Sequence, residues 1–204
     1  MTAAAIDPTK SPDDIVEDIE SAEEEKKTET VVGFVTFLSS EEKAGDEDWA
    51  EAAEAALDAF YRLTKGGAST DWMLAVAAVV ACLEAWKEEE AIVEVALGCI
   101  VAIASKARAS DGDGGGDETA TTISAKAVLE TMKAFPDEST IQEQACLAIE
   151  GLALWKKTWK DELNDSEGIA EELKAALEER ITNERNKSYP VKAAKALGID
   201  DLEQ

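Results

Sequence analysis

Histidine is absent from all 204 residues of the chain. That removes the commonest general base and the commonest neutral metal ligand together. Cysteine is scarce: Cys82, Cys99 and Cys146 stand among Ala, Val and Leu, with no CxxC pair. An odd, scattered set argues against a disulfide framework and for small buried residues in a reducing compartment. Long apolar runs are missing too. The longest, MLAVAAVVACL at 73–83, is too short to span a bilayer and reads as a buried helix. The first twenty residues hold no basic region followed by an apolar core, and no arginine. Neither a secretory signal nor an uncleaved transit peptide is expected, although a processed chain would look the same. The expectation is a soluble intracellular protein, in the cytoplasm or the interior of an organelle.

Positive charge is also short. Lys plus Arg number 20 against 45 Asp plus Glu, a net charge of −25. Residues 1–60 carry 18 acids and 4 bases, so more than half of the excess lies there. Such a field repels phosphate backbones and anionic lipid surfaces, which makes nucleic acid and membrane poor partners. A protein with a basic or mixed-charge surface is the natural complement. Acidity that merely keeps the chain soluble accounts for the same excess.

No constellation for catalysis stands out. No nucleophile has a basic partner in a known motif, no Gly-rich loop follows a strand, and no carboxylate pair rises above the acidic background. No enzyme activity, cofactor or metal is therefore expected. The acidic loop from Asp111 to Asp117 resembles a calcium loop at first sight. Counted from Asp111, however, position five is Gly115 and position twelve is Thr122, where oxygen ligands are needed. A mobile acidic linker explains it better.

What the chain does have is 45% apolar residues, spread along most of its length at helical spacing. This is enough for one domain or two small ones. Residues 1–30 read as an acidic arm. Within it, Ser11-Pro12-Asp13-Asp14 is a helix start, with Ile15, Ile19 and Ala22 on one stripe. That helix would dock on the body or on a partner, or the arm would stay mobile. From residue 31 onward, helices are expected at 31–38, 49–63, 71–86, 92–104 and 123–135, with polar breaks between them. A further helix starts near Ser139, capped by Ser139 with Gln142 and running to about Leu163. A last pair follows.

These helices repeat. Residues 79–104 lie over residues 128–153 without a gap, and eight positions are identical, among them Ile92/Ile141, Glu94/Glu143, Ala96/Ala145 and Ile100/Ile149. A weaker copy places Trp49, Ala53 and Leu57 on Ile92, Ala96 and Ile100 at an offset of 43. A degenerate fourth aligns Leu177 with Leu129 and Tyr189 with Ile141. Helix pairs recurring at this period fit an α-solenoid, in which each hairpin exposes a stripe that the next one covers. The stripe is Ile141, Ala145, Ala148 and Leu152.

At Pro136, Ile141-Gln142-Glu143-Gln144-Ala145-Cys146, Ala148-Ile149 and Leu152-Ala153, the chain resembles the armadillo-repeat family, with HEAT repeats as the close relative. Ser166-Glu167-Gly168-Ile169 and the LKAAL after it look like a turn into the next repeat. The resemblance implies an all-α solenoid of about four hairpins over 31–204 that acts as a protein-binding scaffold. Armadillo proteins that bind extended peptides use a ladder of asparagines with tryptophans one turn earlier. Those positions here are Ala59, Ala102 and Gly151, and Ala55, Gly98 and Leu147. The ladder is missing, so the resemblance to nuclear-import receptors does not carry their function.

One turn further back stand Glu51, Glu94 and Glu143, near one edge of the implied groove. With Ala55, Gly98, Leu147 and Gly151 as its floor, they form the candidate surface for a basic helix or strand. Ordinary solvated glutamates explain the same three residues. Trp155 and Trp159 are secondary partner-binding candidates, flanked by Lys156, Lys157 and Lys160, or else they cover the end of a core. The resulting expectation is a non-enzymatic adaptor or accessory subunit. The alternative is an acidic chaperone that shields a strongly basic client.

Overall fold

The computed structural model describes residues 6–7, 9–25, 27–40, 42–44, 46–68, 70–111, 125–199 and 202. All regular structure among them is helical, with ten α-helices and no strand. Two compact units divide the chain, Met1–Ile103 and Ala104–Gln204.

The first unit opens with α1, Pro12–Glu24. Ser11 caps it: its hydroxyl accepts from the Asp14 N–H at 3.3 Å, while the Asp14 carboxylate accepts from the Ser11 N–H at 3.2 Å. The reciprocal pair satisfies two donors that a helix start leaves open. Ile15, Ile19 and Ala22 are buried, and α1 lies on α3 and α2, so the stripe docks on the chain itself. Helix α2, Thr28–Leu38, is apolar on most sides because it packs against both α3 and α4. Helix α3, Glu47–Lys65, starts on the Asp46 carboxylate and keeps one charged face in solvent. Helix α4, Trp72–Ala85, starts on Asp71, which accepts from the Met73 and Leu74 N–H groups at 3.1 Å. Trp86 closes it, with its indole N–H donating to the Leu38 carbonyl at 2.9 Å. Helix α5, Glu90–Asp111, crosses the unit boundary, and in the first unit the Cys99 thiol donates to the Leu57 carbonyl of α3 at 3.3 Å.

In the second unit α7, Ser139–Trp155, packs against α6, Lys126–Ala134, against α8, Lys157–Asn164, and against α10, Ser188–Leu197. Between α8 and α10 lie α9, Ile169–Ala175, and a π-helical stretch, Ala176–Arg180. Gly168 enters α9 at φ 86°, a left-handed conformation that costs glycine little. The start of α6 has no cap of its own. Instead Glu162 of α8 accepts from the Ala125 N–H at 3.1 Å and the Lys126 N–H at 3.4 Å.

Two expectations are corrected. The helix beginning at Ser139 does not continue to Leu163, because Lys156 is extended (φ −129°, ψ 130°) and separates α7 from α8. The break turns Trp159 and Leu163 inward, where both are buried. The Ser139–Gln142 capping box does not form either, since Glu138 precedes the first turn without a side-chain bond. Ser139 instead accepts from the Thr182 N–H at 3.2 Å, and Gln142 points into the unit.

The internal repeat has a structural counterpart. α4 and α6 end at the aligned residues Ala85 and Ala134, and α5 and α7 start at the aligned residues Glu90 and Ser139. Burial of 92–104 matches that of 141–153 position by position, except at 94/143 and 102/151.

Candidate partner-binding surfaces

In the first unit, Glu51 of α3 and Glu94 of α5 are exposed, while Ala55 and Gly98 are half-buried. Tyr61 stands beside Gly98: a Cβ built there would lie 3.7 Å from the ring. Ala59 and Ala102, which the resemblance places in the groove, are 0% and 4% exposed. An asparagine at either would be interior rather than offered to a peptide. The physical reason is that these alanines lie on the packed side of α3 and α5, continuous with buried Ala56 and Cys99.

In the second unit, Glu143 of α7 is half-buried and accepts from the Asn186 side chain at 2.8 Å. The three glutamates thus differ in state: Glu51 and Glu94 make no ion pair among the described residues, and Glu143 is engaged internally. Gly151 comes against Ala104 within the second unit: a Cβ there would lie 2.9 Å from that of Ala104. Leu147 is half-buried, and one turn beyond Gly151 stands Leu154, 46% exposed. Leu147, Gly151 and Leu154 share a face at steps of four and three. Leu154 escaped the sequence reading because it lies off the apolar stripe, although its spacing of seven from Leu147 was visible.

Trp155 and Trp159 are 5% and 4% exposed, with their rings edge to face at 5.1 Å. They fill the junction of α7 and α8 and are not presented to a partner. The reason is the extended residue between them, which folds both rings inward.

The first unit, with 24 acidic and 7 basic residues, carries most of the negative charge. Some of that charge is used locally. Arg62 donates to both oxygens of Glu23, at 2.6 and 2.7 Å, and to Asp58 at 2.7 Å, which ties α3 to α1. The same guanidinium holds the Glu23 carboxyl below its ordinary value. Two open clefts of about 420 and 440 Å³ lie in this unit. Ion-paired side chains line them, Lys10 with Asp18 in one and Glu23 with Arg62 in the other.

All three thiols are free and buried. Burial pushes Cys82 up to about 12 and raises Cys99 and Cys146 well above the ordinary thiol value. Among the described residues no group of Cys, Asp and Glu is placed to hold a metal ion, and no helix is long and apolar enough to cross a membrane. The acidic loop from residue 112 onward lies outside the described residues. Comparison with protein-family models, with curated proteins and with solved structures gives no match.

Proposed function

We propose that the chain is a non-enzymatic adaptor or accessory subunit built on armadillo/HEAT-like helical repeats. It would bind a protein of basic or mixed charge through its repeat helices. The observation that carries this reading is the exposed leucine edge of α7, Leu147 with Leu154. There a leucine stands 46% exposed on a helix whose opposite side is packed. Apolar side chains left in water suit a partner helix or strand. The matched helix breaks, and the matched burial of 92–104 and 141–153, support the repeat on which a reading of about four hairpins rests. Glu51 with Ala55 on α3, and Glu94 with Gly98 on α5, are separate candidates within the first unit; in the second, Glu143 serves less, being held by Asn186. Free buried thiols suit a reducing compartment, in the cytoplasm or the interior of an organelle.

A net charge of −25 favours a second reading, an acidic chaperone for a strongly basic client. Affinity purification of the full chain from its native cell, washed at low and at high salt, separates the two. A stoichiometric partner that survives high salt and is lost from Leu154→Gln supports the adaptor. Basic proteins that wash away with salt, equally from wild type and Leu154→Gln, support the chaperone and reject the adaptor.

A further inference from the structure

Helix α4 differs from α3 in what it presents to solvent. The outward stripe of α3 is Glu47, Glu51, Glu54, Asp58 and Arg62, charged at every step. Along α4, WMLAVAAVVACLEA, the corresponding outward positions are Leu74, Ala77, Ala81 and Glu84, at steps of three, four and three. Leu74 is 50% exposed, Ala81 is exposed, and Ala77 with neighbouring Met73 is half-buried. A helix that is apolar on every side is ordinarily enclosed. This one has its inner side on α2 and leaves more than two turns of apolar surface in water.

The same stripe then changes character. Glu84 is exposed, and beyond the helix end Glu88, Glu89 and Glu90 are exposed as well, with Lys87 the one cation in that run. The carboxylates of Glu84 and Glu88 make no ion pair among the described residues, whereas Asp58 and Glu23 in the same unit are both paired to Arg62. From Leu74 to Glu84 the face is about 15 Å long. It is apolar at one end, anionic at the other, and flat enough at Ala77 and Ala81 for a second helix to approach closely.

We propose that this face of α4 docks a basic amphipathic helix of a protein partner. Large apolar residues of that helix would lie on Ala77 and Ala81 beside Leu74. Its Lys or Arg side chains, one to two turns along, would meet Glu84 and Glu88. Charge decides between occupants. A second copy of this chain would bring its own Glu84 and Glu88 and another net charge of −25 to the contact, and an anionic lipid surface is repelled in the same way. The proposal rests on the protein-binding reading but uses a different helix from α7, so the two answer to different variants.

The test uses the full chain and a synthetic helical peptide of about 18 residues, long enough for the face, with Leu at helical spacing along one end and Lys flanking the other. A scrambled peptide of identical composition is the control, and binding is read by fluorescence anisotropy. The ordered peptide is expected to bind about tenfold or more tightly than the scrambled one. Leu74→Gln and Ala81→Gln, each neutral and each checked for helicity by circular dichroism, are expected to remove that advantage. Glu84→Gln with Glu88→Gln should weaken binding and flatten its salt dependence. Glu20→Gln with Glu54→Gln, the same charge change on α1 and α3, should leave it unchanged.

Equal binding of the two peptides overturns the proposal, as does equal loss from the Glu20/Glu54 variant, since either means charge alone. Sedimentation showing a dimer that Leu74→Gln dissolves also overturns it, because the face is then a self-interface. A cellular partner lost from Leu154→Gln while the ordered peptide shows no advantage leaves the adaptor reading standing and removes only the α4 site.

Discussion

The side-chain amide of Gln142 donates to the carbonyl oxygen of Met132 at 2.8 Å and also reaches that of Phe135 at 2.8 Å. Both carbonyls lie at the end of α6, where a helix leaves its last acceptors without intrahelical donors. Gln142 is fully buried, so no water can take its place, and its own carbonyl faces the Arg180 guanidinium at 3.4 Å. Gln142→Met keeps the volume and removes the donors. It is expected to destabilise the chain by about 2–4 kcal/mol in urea unfolding, because two buried acceptors lose their partner. Gln142→Glu should be at least as costly at neutral pH, where a carboxylate cannot donate. A Gln142→Met protein as stable as wild type would show that the bonds contribute nothing net.

The cysteines lead to a kinetic expectation. Burial holds the Cys82 thiol at about 12, and Cys99 and Cys146 are raised for the same reason, so almost no thiolate exists at pH 8. Thiol titration of the native protein should therefore find no fast-reacting cysteine, and three once the chain is unfolded. Labelling of the native chain should proceed only through opening of the fold. One cysteine that reacts rapidly in the folded protein would contradict the burial described.

The parts of this architecture that were legible beforehand are those encoded locally. The Ser11–Asp14 box could be read from four residues, because the groups that close it are neighbours in sequence. The helix breaks at 86–89 and 135–138 could be read from the internal repeat, since the same polar interruption recurs at the same offset. What stayed hidden depends on distant residues. The start of α6 is capped by Glu162, some 36 positions away, and Glu143 is engaged by Asn186, 43 positions away. The Lys156 break follows from where Trp155 and Trp159 can both be buried, which periodicity does not contain. The candidate surface was legible as a set of aligned positions but not as exposures. Ala59 and Ala102 proved interior, and Leu74 and Leu154 proved to be in water, because a helical pattern does not say which sides its neighbours cover.

The Glu23–Arg62 fork makes the attachment of α1 depend on pH. The guanidinium favours the ionised form of Glu23, so its pKa lies below the ordinary value of 4.5 in the folded chain. A lowered folded pKa means the contribution is present above that ordinary value and is lost as pH falls through the folded one. Arg62 is half-exposed and solvent screens the pair, so the contribution at pH 7 should be no more than about 1 kcal/mol. Glu23→Gln is expected to lower the melting temperature at pH 7 and to lower it less at pH 3, as the wild-type carboxylate takes up its proton. An equal drop at both pH values would mean that shape rather than charge holds α1 there.

Two helical glycines should respond to the same substitution with opposite signs. At Gly98 a new Cβ meets the Tyr61 ring at 3.7 Å, an ordinary contact. Gly98→Ala therefore keeps the gain that alanine brings to a helix interior, and should stabilise the chain by about 0.5–1 kcal/mol. At Gly151 the new Cβ lies 2.9 Å from that of Ala104, and neither atom can swing away because each is fixed to its backbone. Overpacking of that kind costs about 1–3 kcal/mol, more than the helical gain, so Gly151→Ala should destabilise. Ala104→Gly costs the helix on its own but removes the obstacle. In that background Gly151→Ala should become neutral or stabilising, a coupling of about 1 kcal/mol or more in a double-mutant cycle. If the two changes were additive, the close approach of α7 to Ala104 would not be what keeps residue 151 a glycine.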